Sequence, residues 1–333
     1  MKESMKLIFK LSKHNLKLST AEVLSILQTK EHKLLDNFLI IDSKFDIDKV
    51  KRLAYTKSVY QLLFTSNKKN LINKIKTYNW KSIYKSNFCV QTQNSKQITS
   101  KTIADIIWNN LVGEGKTPKT KLKNSKTEIH FIFTKTKVIV AQLVSVNQED
   151  FAHRKPHNRP ELSPTSLDPR LARAMVNLSG AKLNNTILDP FCGVGGILIE
   201  WGLLGGKCIG YDINNIELKK CKINLKHYKI KTNQYKLINK DSLTIIKHYN
   251  YIVTDFPYGR NSKINKELKQ LYSDFLKICK KTIKPKTIVV GVPNFINFKD
   301  IIKQTKQKNK YKIKHKFKIY IHKSLTKEVY VLE

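Results

Sequence analysis

From Asp168 onward the chain alternates strand-like and helix-like segments, and this alternation restricts the fold more than any other feature. Short apolar runs at residues 186–188, 208–211, 236–238, 251–253 and 288–292 suit buried strands. Between them, residues 195–204, 213–227 and 268–280 carry apolar positions at helical spacing. An earlier helix, to about residue 178, opens with Asp168 as N-cap and Pro169 at the first helical position, where a missing N–H costs nothing. A β-α-β-α succession implies a mostly parallel sheet with helices on both faces. Residues 314–322 and 328–332 fit an antiparallel hairpin at its edge.

The upstream half reads as two smaller α/β units. In residues 1–60, strands are expected at 7–9, 38–41 and from 59, with helices at 46–54 and from a Ser19-Thr20 cap to about residue 28. In residues 61–146, helices are expected at 70–78 and 100–111 and a strand at 88–91. There 128–133 and 137–144 form a hairpin with the alternation of a half-buried sheet. Trp80, Trp108 and Trp201 read as core. Residues 147–166 hold Pro156, Pro160 and Pro164 with His153 and His157, and read as an extended linker before a domain at 167–333.

Charge narrows the partners. The 333 residues carry a formal net charge of +38, which should draw polyanions in a salt-dependent way. Residues 51–100 contain ten basic and no acidic residues, and residues 301–333 contain ten lysines against Glu328 and Glu333. Almost all the charge is lysine, so compositional bias is a competing explanation. Arg154, Arg159, Arg170 and Arg173 cluster, and a guanidinium's planar fork suits phosphate; ion pairing within the protein is the alternative. No apolar run approaches the ~20 residues of a membrane span, and residues 1–10 lack the apolar core of a secretory leader, which points to the cytoplasm. Cys89, Cys192, Cys208, Cys221 and Cys279 form no C-x-x-C pair and have no histidines at zinc spacing, so neither metal nor disulfide is expected.

Four segments carry chemistry. Asp189-Pro190-Phe191-Cys192-Gly193-Val194-Gly195-Gly196 lies between a strand and a helix, where open α/β sheets bind ligands and helix amides face outward. Asp212 ends the next strand and can accept from both ribose hydroxyls of an adenosine, or cap the following helix. Asp241-Ser242 follows a third strand; Asp241 suits an adenine amino group, or again a cap. Asp255-Phe256-Pro257-Tyr258 joins a carboxylate, a stiff turn and an aromatic ring at a strand end. The Asp255 carboxylate and the Phe256 carbonyl can each accept one N–H of a base amino group while Tyr258 stacks on the base, a contact of ~1–3 kcal/mol. An amine so held has its lone pair aimed at a methyl sulfonium, and transfer then rests on orientation.

Residues 189–196 and 255–258 resemble the cofactor and catalytic motifs of amino-methyltransferases acting on nucleic-acid bases. The usual tetrad has proline where this chain has Phe256. Arg159-Pro160, the run Ser166-Leu167-Asp168-Pro169-Arg170-Leu171-Ala172-Arg173, residues 188–200, and the ending His322-Lys323-Ser324-Leu325 with Val329-Tyr330-Val331 are similar to archaeal tRNA methyltransferases that modify N2 of guanosine at position 10. The resemblance implies a Rossmann-like domain that uses S-adenosyl-L-methionine, preceded by a ferredoxin-like unit and a THUMP RNA-binding unit. It implies cofactor contacts from Asp189, Phe191, Cys192, Gly193, Gly195, Gly196, Asp212, Asp241 and Ser242. Catalysis would fall to Asp255, Phe256, Pro257 and Tyr258, and tRNA contacts to Arg154, Arg159, Arg170, Arg173 and Arg260. One or two methyl groups, another tRNA site or ribosomal RNA, an accessory subunit, and a non-catalytic RNA-binding protein that keeps the fold all stay open at this point.

Overall fold

A computed structural model describes residues 5–95, 97–163, 166–258, 262–304, 311–323 and 325–333, the side chains of 262–265 aside. The chain divides into two compact units. The first comprises residues 1–16, 29–51 and 56–148; the second comprises residues 17–28, 52–55 and 149–333.

The first unit is one seven-stranded sheet. Its strands are β1 (Met5–Leu11), β2 (Lys33–Leu35), β3 (Phe38–Ser43), β4 (Thr56–Ser66), β5 (Phe88–Gln93), β6 (Thr127–Phe133) and β7 (Val138–Val146), in the order β2-β3-β1-β4-β7-β6-β5. All neighbours are antiparallel except β5 and β6. Strand alternation sorts the side chains of β6 and β7. Ile129, Phe131, Val138 and Val140 pack with Leu71, Ile75, Ile103, Ile107 and Leu111 of α3 (Leu71–Thr77) and α4 (Ser100–Gly113), while Ile132, Ile139 and Ala141 pack with Ile8, Phe38 and Tyr60. The boundary expected at residue 60 falls inside β4, whose 11 residues pair with β1 on one side and β7 on the other. Trp80 is buried, but Trp108, expected in the core, is 37% exposed on α4.

The helix α1 (Leu16–Leu27) starts before the expected Ser19-Thr20 cap, and its residues from 17 on count with the second unit, as does the stretch after α2 (Ile47–Lys51). Glu22 explains why. It is fully buried, and its carboxylate accepts from the backbone N–H of Ala54 (2.7 Å) and Tyr55 (2.9 Å) and from Asn177 Nδ2 (2.7 Å). Burial raises its pKa, and these donors oppose the rise.

The rest of the second unit is built on β8 (Thr186–Asp189), β9 (Lys207–Asp212), β10 (Tyr235–Asn239), β11 (Tyr251–Asp255), β12 (Thr287–Pro293), β13 (Ile313–His322) and β14 (Leu325–Leu332). Their order is β10-β9-β8-β11-β12-β14-β13. The first five run parallel, and β14 and β13 add antiparallel. Helices α5 (Pro169–Leu178), α6 (Gly196–Leu203) and α7 (Asn215–His227) supply Met175, Leu198, Trp201 and Leu225 to one apolar cluster. Helices α8 (Ser262–Ile278) and α9 (Phe298–Gln304) supply Tyr272, Phe275, Phe298 and Ile301 to another. This is the doubly wound, Rossmann-like arrangement. The chain reverses its direction of strand addition between β8 and β11, and at such a switch point open α/β sheets bind ligands beyond the strand carboxyl ends. Among the described residues no helix is long and apolar enough to cross a membrane, and all five cysteines are buried and free.

Glu22→Ala should leave three buried N–H donors without an acceptor and cost about 2–5 kcal/mol. Urea denaturation checks this; a loss below about 1 kcal/mol would sink the tying role given to Glu22.

Candidate active site

The loop after β8 is shaped by two glycines in left-handed backbone, Gly193 (φ 47°) and Gly195 (φ 88°). A Cβ at Gly195 would lie 2.5 Å from Cys221 Sγ, so the turn into α6 has no room for a side chain. Asp189, which ends β8, is 2% exposed. It accepts from Thr254 Oγ1 on β11 (2.7 Å) and from the Phe191 N–H (3.2 Å). The next carboxylate draws the loop toward β9: Asp212 accepts from the Gly193 N–H and the Asn214 N–H, each at 2.8 Å. The capping alternative for Asp212 is displaced by two residues, because α7 is capped by Asn214, which accepts from the Ile216 N–H at 2.9 Å. Asp241 does cap, accepting from the Leu243 N–H (2.8 Å) at a short 3-10 turn. Ser242 Oγ beside it is buried with no hydrogen-bond partner among the described residues.

Asp255 ends β11. The side chain of Phe256 turns away into the core, stacked on Tyr272 with 4.3 Å between ring centroids and edge-on to Phe191, Phe275 and Phe298. Pro257 is exposed, and its carbonyl accepts from Tyr272 Oη at 2.6 Å. Lys327 of β14, a residue that sequence reasoning missed, is 2% exposed. Its ammonium donates to Asp255 Oδ2 and lies 4.8 Å from the centroid of the half-buried Tyr258 ring. On β12, a side chain at Gly291 would strike Asp255 Oδ1.

These elements surround a cavity of about 430 Å³. Asp189, Phe191, Cys192, Gly193, Gly196, Asp212, Asp241, Ser242 and residues 255–258 all line it, while Gly195 lies behind them in the turn. The cavity also takes in Ser163 and Ser166 from the segment expected to be a linker, Leu167 just after it, and Ile213, Asn214 and Glu217 after β9. Five carboxylates line it, and no lysine or arginine does among the described residues. In a chain of net charge +38 this is a local inversion of sign that favours a cationic ligand.

The arginine cluster is partnered largely within the protein. Glu200 on α6 is fully buried, and a carboxylate there requires charge partners. Arg154 Nε donates to it at 2.8 Å and Arg173 Nη2 at 2.9 Å, and Arg154 also pairs with Glu149 at 2.7 Å. Arg159 is 4% exposed and donates to the carbonyls of Arg154 and Leu167. Arg154, Arg159 and Arg173 are therefore engaged in internal ties, the alternative to phosphate that their sequence pattern also allows. Arg170 is exposed, its guanidinium 5.3 Å from the Phe151 ring centroid. Arg260 lies outside the described residues.

Burial pushes the Asp189 carboxyl up to about 7, and the carboxylates of Asp255 and Asp212 add to the rise. An unfolded aspartate loses its proton near pH ~4. The stability that this proton confers is thus full below about pH 4 and lost as pH rises through about 7. Asp189→Asn should abolish that decline, gaining on the order of 3–4 kcal/mol over wild type across the window. Ligand-free melting curves from pH 4 to 8 check this; parallel wild-type and variant curves would refute it.

With this geometry in view, comparison with known proteins is specific. The family model described as RMKL-like, methyltransferase domain, matches residues 156–323, half of the chain, and a DNA methylase model matches residues 4–222. A curated relative from Methanothermobacter thermautotrophicus, named tRNA (guanine(10)-N2)-dimethyltransferase, is 29% identical over 342 residues, covering 99% of each chain. One of the same name from Pyrococcus abyssi is 27% identical over 90% of each. The crystal structure of TrmN from Thermus thermophilus is similar in fold, with a TM-score of 0.53 at 15% identity over 98% of this chain and 99% of that one. The sheet, the glycine loop and the family match agree, and the chain belongs to the RMKL-like methyltransferase domain family.

Proposed function

We propose that this chain methylates the exocyclic N2 amino group of guanosine in tRNA, at position 10, using S-adenosyl-L-methionine and working in the cytoplasm. The observation that carries this reading is that the glycine loop and the Asp255–Tyr258 turn open into one acidic cavity. Two relatives that span 90% or more of the chain carry that substrate in their names.

The residues present fit the cofactor. S-adenosyl-L-methionine, when bound, supplies a methyl group on a positively charged sulfonium. The lining carboxylates suit a cation, Gly193 and Gly196 bring side-chain-free backbone to the cavity wall, and the unpartnered Ser242 hydroxyl offers a polar contact. Asp212 would take the ribose hydroxyls and Asp241 the adenine amino group, with Phe191 and Cys192 closing the side of the loop. Asp189 holds the loop to β11 through Thr254.

At the other end, the Asp255 carboxylate and the Phe256 carbonyl would each accept one N–H of the guanine amine, and Tyr258 would stack on the base. Pro257 and Tyr272 keep that turn in one shape. The guanine must leave its stack to reach this depth. The first unit would grip the RNA, β1 to β4 as the ferredoxin-like part and β5 to β7 with α3 and α4 as the THUMP part of one shared sheet. Lys57, Lys68, Lys69, Lys74, Lys76, Lys81 and Lys85 there are all exposed and suited to phosphate, which positions RNA without reading sequence.

The test is transfer of radiolabelled methyl from S-adenosyl-L-methionine to unmodified tRNA transcripts, followed by nucleoside digestion and position mapping. Label in N2-methylguanosine or its dimethyl form at position 10 is expected; label at another position or in another base would overturn the substrate. Asp255→Ala should lower turnover by about 100-fold or more through loss of orientation, with tRNA affinity close to wild type. Asp212→Ala should weaken cofactor binding about ten-fold and leave tRNA binding alone, and an unchanged cofactor affinity would return Asp212 to a loop-tying role.

A further inference from the structure

A strand outside both the glycine loop and the Asp255–Tyr258 turn holds that turn by a buried cation. Lys327 lies on β14, opposite Pro293 of β12, in a strand otherwise rich in apolar residues. Its neighbours on the sheet surface are mostly apolar, yet its ammonium is withdrawn from water. Taking a lysine out of water costs several kcal/mol unless an anion compensates, and Asp255 Oδ2 is that anion. The same ammonium sits over the Tyr258 ring, so one side chain touches two of the four residues of the turn. Gly291 leaves the space in which the Asp255 carboxylate lies.

We propose that Lys327 is a positioning residue for methyl transfer, holding Asp255 by Oδ2 as an oriented, ionised acceptor for the substrate amine and fixing the ring of Tyr258. The proposal rests on the reading of the site as an amino-methyltransferase.

The chemistry requires such a partner. An amine N–H needs a lone pair to donate to, and an ionised carboxylate is acceptor-only, whereas a protonated one turns one oxygen into a donor. Burial raises the pKa of Asp255 above the ordinary carboxylate value, and Lys327 limits that rise. The other ionisable groups facing Asp255 give no help. Asp189 on β8 repels its negative charge, and burial keeps the hydroxyl of Tyr272 on α8 neutral at physiological pH. Lys327 is thus the cation that keeps the acceptor charged among the described groups around it.

The experiment compares Lys327→Met, Lys327→Gln and Lys327→Arg with wild type in two ways. In the methyl-transfer assay, Lys327→Met and Lys327→Gln should lower kcat at pH 7 by about ten-fold or more and move the acid limb of its pH profile at least about one unit alkaline. KM for tRNA and for cofactor should change less than about two-fold, and Lys327→Arg should restore the limb. In ligand-free melting, Lys327→Met should lose stability as pH rises from 6 to 9, because a raised folded pKa forfeits its contribution as pH climbs through it. The double variant Asp255→Asn/Lys327→Met should have a shallower slope, keeping only the decline that Asp189 contributes. A Lys327→Gln profile that superimposes on wild type, or equal slopes in the single and double variants, overturns the proposal. If Lys327→Met does not fold, Lys327→Gln with and without Asp255→Asn carries the same comparison. A wild-type protein that methylates nothing would defeat the functional reading, while the melting curves, which need no substrate, still decide whether Lys327 sets the charge of Asp255.

Discussion

The hydrogen bond from Thr254 to the buried carboxylate of Asp189 joins two segments 65 residues apart, and the site depends on it. Asp189 closes β8 and begins the glycine loop; Thr254 immediately precedes Asp255 on β11. Parallel pairing of these two strands brings their carboxyl ends together at the switch point, but pairing alone leaves the loop after β8 free to move. A buried aspartate that must find donors removes that freedom. It finds one on the neighbouring strand and one in its own turn, and the loop is then drawn over β9 by Asp212 and the Gly193 N–H.

The distribution of charge divides the labour in the same molecule. Lysines are placed outward in the stretch most depleted of acids, where they confer attraction without shape. Inside the cavity the sign reverses. On the proposed function the two signs would serve different ligands, the lysines a polyanion and the carboxylates a small cation. Arg154, Arg159 and Arg173 join neither population. Their forked donors are spent on Glu200 and on carbonyls, which suits a guanidinium better than an ammonium because several bonds can be made in fixed directions.

Much of this was legible from local pattern. The β-α-β-α order, the glycine loop, Asp212 and the Asp255–Tyr258 turn all follow from residues within a few positions of one another, and the cavity gathers nearly all of the residues picked out for the cofactor and catalytic roles. What stayed hidden depends on partners far apart in the chain. The three-residue β2 is too short to show a period, and α9 lies in a lysine-rich stretch that masks its apolar face. The strand expected from residue 59 does not show that β4 joins both halves of one sheet, because its pairing on both sides is decided by β1 and β7. Glu22 does leave a trace, as a lone acid in an apolar helix, but its donors at residues 54, 55 and 177 do not. Lys327 leaves a similar one, a lysine inside an apolar strand, which marks a buried charge without naming its partner.

The replacement of proline by Phe256 can now be understood as a change of support rather than of chemistry. A second proline would stiffen the turn through its own ring. Here stiffness comes from below: Phe256 stacks on Tyr272, three more aromatic rings meet it edge-on, and the Tyr272 hydroxyl reaches the Pro257 carbonyl. The anchored side chain leaves the backbone of residue 256 at the cavity wall, which is the part an amine acceptor site requires. A turn held by core packing is as rigid as its core, so the precision of the site is coupled to the packing of α8 and α9 against the sheet. That coupling places the tolerance limit of this enzyme in its aromatic cluster: substitutions that loosen Tyr272 or Phe298 act on turnover through the pose of the turn, without touching either ligand.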